Sequence, residues 1–285
     1  MREVRAVRID EGKIGFSRDS EEFRTSTSRL MQFAQVLGLR SGPIAEGRTG
    51  HPIFPHIPAT QSLVEVLRAA TSGFGFHGEQ DFRFHAPIVP GQRLFTSSVL
   101  QALRQTKAGA ATVIRSDLRT ADGTLVNVQY TTSVFTEAEL SGDGGDKAPA
   151  PPELSDLKSS EPETSEIAID DDLAHRYSDV SRDYSPYTMR QDYARKIGLK
   201  APILHGLCTL GLAARPVLVG AGDPAGARLR RYGCRFSHPL FMTGGRRITV
   251  RQWRGEAGSG PAVAFEVADD QGHLILKNGF AEFAP

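Results

Sequence analysis

Two stretches of the chain carry the apolar spacing of a buried helix, one around residues 60–72 and one over 203–219. The second, from Leu204 through Cys208, Leu210 and Ala213 to Val219, is apolar on nearly every side. A helix of that kind has to be covered all round, and an extended sheet wrapped about it achieves this. Each helical stretch precedes a run of strand-like segments. Arg83-Phe84-His85-Ala86-Pro87 leads into PGQRL in the first half, and Arg235-Phe236-Ser237-His238-Pro239 leads into TGGRRI in the second. Matching turns follow, TADGTLV at 120–126 and VADDQGHLI at 267–275, each with Asp and Gly where a hairpin wants them. The closing strands correspond too, at 126–135 and 275–283. Recurrence in the same order predicts an internal duplication. The expected fold is α+β: two repeats of a long central helix wrapped by an antiparallel sheet. Parallel βαβ units are disfavoured, because the strands come in a row joined by tight turns.

The length of 285 residues suits two domains. Their expected limits are 1–136 and 167–285, separated by residues 137–166. That stretch, EAELSGDGGDKAPAPPELSDLKSSEPETSE, is rich in Pro, Gly and Ser and shows no periodicity. Too little apolar surface is present to offset the entropy of ordering it, so a mobile linker is expected. It carries nine acidic residues and two lysines, a charge of −7, against +1 for the whole chain. The flanking halves therefore share +8.

Several classes of protein are excluded. No apolar run approaches the ~20 residues of a membrane helix, and MREVRAVRID lacks an apolar leader. Only Cys208 and Cys234 occur, with no CxxC and no histidine cluster at metal spacing. No disulfide scaffold, metal site or resident cofactor is expected, and a reducing cytoplasm is the default location. The near-neutral total argues against a nucleic-acid partner.

The segment richest in chemistry runs from Tyr177 to Gly211, YSDVSRDYSPYTMRQDYARKIGLKAPILHGLCTLG. It resembles the MaoC-like, hydratase-2 branch of the hot-dog fold, the R-specific enoyl-CoA hydratases that add or remove water at acyl thioesters. Their signature runs from a Tyr through a small residue, Gly-Asp, any residue, Asn-Pro, an aliphatic residue and His. Here Tyr177, Val180, Ser181, Asp183 and Pro186 fit, as does all of Pro202-Ile203-Leu204-His205-Gly206. The resemblance implies a double hot-dog with the active motif in the second repeat. It further implies that Asp183 helps hold the reacting water and that the N–H of Gly206, at a helix start, binds the thioester oxygen; relief of crowding where helix meets strand is the alternative for Gly206. The family's Gly, Asn and His positions are occupied by Arg182, Ser185 and Thr188. A hydroxyl at 188 cannot act as a general base at neutral pH, so the usual dyad is broken.

Asp183 also has a plain reading as a turn former, which Ser185-Pro186 would suit. Arg182 either pairs with Asp183 and weakens it as a base, or points to solvent. Tyr184 and Tyr187 either donate hydrogen bonds to a substrate carbonyl or are packing residues. His205 is expected to be structural at the helix start. His77 is expected just before the first strand of the first meander, and His56, between two prolines, could enter a cavity between the halves; for each, a satisfied structural histidine is the preferred reading. Arg228, Arg230, Arg231, Arg246 and Arg247 form a candidate anion patch, with Arg230 and Arg247 the proposed contacts. Coenzyme A phosphates or an acyl carrier protein, whose phosphopantetheine would belong to the substrate, suit such a patch; a solvated strand face is the alternative. The first half lacks a catalytic motif and is expected to house the acyl group, and hot-dog proteins commonly associate into homo-oligomers.

Three functions compete: a thioester hydratase or dehydratase; a repurposed isomerase, dehydratase or cyclase of a polyketide-like substrate; and a non-catalytic thioester-binding or scaffolding subunit.

Overall fold

The computed structural model describes residues 7–136, 138–258 and 260–285. Its frame is an antiparallel sheet of nine long strands: β1 (Phe76–Phe84), β2 (Arg93–Thr106), β3 (Gly109–Thr120), β4 (Leu125–Phe135), β5 (Glu163–Ala168), β6 (Leu229–Phe236), β7 (Arg247–Ala257), β8 (Gly260–Asp269) and β9 (Leu274–Phe283). Their order is β5-β7-β8-β9-β6-β1-β4-β3-β2, and three two- or three-residue strands pair with β2. The first repeat thus reads β1-β4-β3-β2 and the second β6-β9-β8-β7. The same order on either side of one seam is the duplication seen as topology. At the seam β6 and β1 run antiparallel, with Gly233 opposite Asp81 and Arg235 opposite Glu79.

Four helices matter for the site: α1 (Thr27–Val36), α2 (His56–Ala70), α3 (Leu173–Ser181) and α4 (Gly206–Gly220). The central pair, α2 and α4, match the two apolar stretches, although α2 starts earlier than its periodicity indicates and so includes His56. Between Leu207 and Leu218 the α4 residues are buried except Arg215 and Pro216. The preceding helices α1 and α3 pack on each other, with Phe33 and Tyr177 at 6.0 Å between ring centres. Gly211 of α4 admits Ile53 and Leu37 of the first repeat so closely that a Cβ there would lie 2.8 Å from each. One core therefore spans both repeats, from Leu30, Phe33 and Phe54 to Tyr177, Cys208 and Phe265.

Residues 138–166, expected as a mobile linker, are laid against the sheet. Gly144–Gly145 pair with β2, and the Asp143 carboxylate accepts the Gln105 N–H at 2.7 Å. Arg231 reaches the Ala150 carbonyl at 2.8 Å. Leu154 and Leu157 pack on Trp253, whose indole N–H donates to the Ser160 carbonyl at 2.8 Å. Glu163–Ala168 is already a strand, β5, paired with β7 from Glu163 opposite Gln252 to Ala168 opposite Arg247. Two leucines and a sheet edge supply the burial that composition alone did not reveal. No described helix is long and apolar enough to cross a membrane.

The five arginines of the expected anion patch are divided. β6 and β7 are separated by β9 and β8, about 14 Å at ordinary strand spacing. Arg231 is spent on a two-pronged bond to Asp81 across the seam (2.9 and 2.7 Å), Arg246 pairs with Asp269 and Asp270, and Arg247 pairs with Glu166 at 3.3 Å. Arg228 donates to the Ala221 carbonyl at 3.2 Å, and Arg230 is exposed. Three of the five arginines are thus held in ion pairs, although the net charge of the halves is unchanged by pairs made within them.

Candidate active site

Helix α3 ends in a left-handed cap. Arg182 has φ +61°, and its N–H donates to the Ser178 carbonyl at 2.7 Å. Such a cap suits Gly, and a side-chain-bearing residue there is strained by about 1 kcal/mol. Arg182→Gly is therefore expected to raise the melting temperature by about 3 °C, measurable by circular dichroism. The cap turns the chain so that half-buried Asp183 follows. Its Oδ1 accepts the Ser185 N–H at 3.1 Å and the Ser185 hydroxyl at 2.6 Å. Ser185 thus gives its one side-chain proton to the carboxylate and fixes its rotation.

A single helical turn, Pro186–Thr188, comes next. Thr188 is buried, and its hydroxyl donates to the Ser185 carbonyl at 2.7 Å. Position 188 accordingly presents no proton carrier. Tyr187 is held edge-on to Phe74 at 5.0 Å, and burial pushes its phenol up to about 12, which keeps it protonated.

His205, immediately before α4, ties the loop to that helix. Its Nε2 is 3.0 Å from the Asp183 carbonyl, so that nitrogen bears the proton, and Ser178 Oγ stands 3.4 Å away. Burial lowers its affinity for a second proton, and its Nδ1 is sealed without a partner among the described residues. Next comes Gly206, the first residue of α4, whose N–H has no acceptor within the helix. The Phe236 ring covers Gly206 so closely that a Cβ would lie 2.9 Å from it.

Beyond Phe236 stand two histidines of the first repeat. The His77 ring lies 4.6 Å from that of Phe236 and stacks on His56 at 6.0 Å and 29°. His77 is inside β1, at an irregularity in its pairing with β4, rather than before the strand as expected. His56 is the first residue of α2. The two imidazoles are held by side-chain amides. Gln129 Nε2 donates to the Pro55 carbonyl at 3.0 Å, which makes its Oε1 the acceptor for Gln80 Nε2 and for His56 Nδ1, both at 3.2 Å. Gln80 Oε1 then accepts His77 Nε2 and the Thr131 hydroxyl, both at 3.0 Å. Burial lowers the proton affinity of both rings, that of His77 to about 3, and the charge of Asp183 opposes it in each.

Comparison with known proteins matches this architecture. The model of the MaoC like domain covers residues 156–270. The chain is 30% identical to the enoyl-CoA hydratase ChsH3 of Mycobacterium tuberculosis, over 90% of this chain and 92% of the relative. The chain belongs to the MaoC-like family of thioester hydratases and dehydratases. It is also 28% identical to 3-hydroxyacyl-thioester dehydratase Y of the same organism, over 96% of this chain and 98% of that one. A MaoC-like dehydratase of Phytophthora capsici superposes with a TM-score of 0.81 at 24% identity, over 97% and 98% of the two chains. The fold is a double hot-dog.

Within this MaoC-like fold Asp183, Ser185, His205 and Gly206 are brought together, with Tyr187 alongside. The other candidates lie elsewhere. Tyr184 is 57% exposed, with its hydroxyl 3.4 Å from Asp179. Arg182 is exposed, makes no ion pair with Asp183 and lies close enough to Arg29 to disfavour its charge. Arg230 and Arg247 are the strand residues already placed outside a common patch. Phe236 was not a candidate, because nothing in Arg-Phe-Ser distinguishes a site residue from a strand residue.

Proposed function

We propose that the chain hydrates a trans-2-enoyl thioester, or runs the reverse dehydration of a 3-hydroxyacyl thioester, at Asp183 and Gly206. The observation that carries this reading is the His205–Asp183 bond. It fastens a rotationally fixed carboxylate beside a helix start whose first N–H has no partner among the described residues. The thioester carbonyl accepts that N–H, and the helix dipole supports the negative charge that gathers on the oxygen as water adds at C3. Asp183 holds the water by accepting one of its hydrogens. The acyl group is carried as a thioester of coenzyme A or of a carrier protein's phosphopantetheine, and no resident cofactor takes part.

A second reading, a thioester-binding subunit without turnover, draws on the sealed hydroxyl of Thr188. Crotonyl-CoA and longer trans-2-enoyl-CoAs, followed by loss of enoyl absorbance, separate the two. Turnover to a 3-hydroxyacyl-CoA is expected. Binding of saturated acyl-CoAs with no turnover of any enoyl thioester, as CoA or as carrier-protein ester, would favour the subunit.

A further inference from the structure

The hydratase reading leaves a proton without a carrier, since Thr188 is buried and bonded to the Ser185 carbonyl. The first repeat brings two imidazoles near enough for the Asp183 charge to act on both. A continuous set of contacts leads to it: Asp183 to His205, Gly206 to Phe236, Phe236 to His77, His77 to His56. All but His205 are half-buried.

The hydrogen bonds decide which nitrogen of His56 is basic. Gln129 can orient only one way, because its amide N–H₂ must meet the Pro55 carbonyl. Its oxygen therefore faces His56, whose Nδ1 must be the N–H, and Nε2 keeps its lone pair. Among the described residues that Nε2 has no hydrogen-bond partner, yet it is not sealed as His51 Nε2 and His205 Nδ1 are. His77 differs, since its Nε2 is spent on Gln80 and its ring serves as the plate on which His56 stacks. A fixed tautomer with a free lone pair makes Nε2 the nitrogen that can take a proton, and the Asp183 charge supports the cation against the burial that disfavours it.

We propose that His56, from the first repeat, is the proton carrier of the hydration whose water is held by Asp183 in the second. The inference rests on the hydratase reading above. In hydration the water oxygen bonds to C3 while one of its O–H bonds breaks, and that proton passes to His56 Nε2. The C2–C3 π pair moves toward the thioester, leaving charge on the oxygen at Gly206. The imidazolium then returns the proton to C2 and is neutral again, so one water has been added and nothing else consumed. Dehydration is the same path reversed. His56 touches the reacting water and is a catalytic residue, whereas His77, Gln80 and Gln129 are positioning residues.

The test uses the full chain with an enoyl-CoA that the wild type hydrates. His56→Gln is expected to lower kcat at least about 100-fold, with KM changed less than about 3-fold and the melting curve retained. His56→Ala, which leaves room for a free ring, is expected to regain about 10-fold on addition of imidazole. A His56→Gln enzyme within about 3-fold of wild type, or a His56→Ala loss that imidazole does not relieve, would overturn the role of His56 and leave the hydratase reading standing. A wild type inactive on every enoyl thioester would remove the hydratase reading itself, and this role with it.

Discussion

Asp183→Asn is expected to lower kcat/KM for enoyl-thioester hydration about 1,000-fold, a loss of about 4 kcal/mol of transition-state stabilisation. The substitution separates the two readings of this residue. An Asn side chain keeps an oxygen where Oδ1 accepts the Ser185 N–H and hydroxyl, so the turn should survive. The negative charge and the second acceptor oxygen are lost. If Asp183 served merely to shape the turn, Asn would do nearly as well, and the enzyme would stay within a few-fold of wild type. If the carboxylate holds water and supports the positive charge that forms on a proton carrier, Asn fails at both tasks. The decisive measurement is a steady-state comparison of wild type, Asp183→Asn and Asp183→Ala, with circular dichroism melts on the same samples. Equal and large losses in both variants, with unchanged melting for Asn, are expected. A fully active Asn variant would end the catalytic assignment.

The largest effect on stability is expected from Gly233→Val. This glycine lies on β6 at the seam, opposite Asp81. A Cβ there would overlap the Gln80 carbonyl oxygen, lie 2.6 Å from the Phe280 ring and 3.1 Å from Asp81 Cα. The ring can shift, but the backbone of β1 cannot without breaking ladder hydrogen bonds. A branched side chain should cost about 3 kcal/mol or more and lower the melting temperature by about 10 °C. Gly142→Ala is the control, since nothing lies within 4 Å of the added methyl and its φ is ordinary. Because β1 carries His77 and β6 carries Phe236, any folded fraction of Gly233→Val should also lose activity. Full activity and an unshifted melt would contradict the described seam.

The parts of the molecule legible in the sequence are those set by local pattern. The all-round apolarity of 203–219 announced a central helix, observed at 206–220, and the repeated turn chemistry around Gly123 and Gly272, both at positive φ, announced the hairpins. The PILHG segment pointed to the family. What escaped depends on partners far along the chain. Leu154 and Leu157 looked too few to order an acidic stretch, but they pack on Trp253 of β7 and the segment also pairs with the sheet at both ends. The arginines looked free until Asp81, Glu166, Asp269 and Asp270 were seen beside them. His56 and His77 are 21 positions apart, and the Asp183 whose charge acts on both lies more than 100 residues later in the chain. Their conjunction follows from the pairing of β1 with β4 and β6, which alternation of polar and apolar residues does not specify.

The seam has a consequence for how such a protein can change. Two separate identical subunits would share every substitution, so a residue gained beside one site would appear beside both. Here the copies are encoded once each, and a change in one is not imposed on the other. In a fused chain the first repeat can go without the acidic motif, and the second can carry Thr at 188, as long as the pair together offers a complete set. On this view the fused chain behaves as a heterodimer whose two partners cannot be exchanged or diluted apart, which lets a substitution in one half be answered in the other.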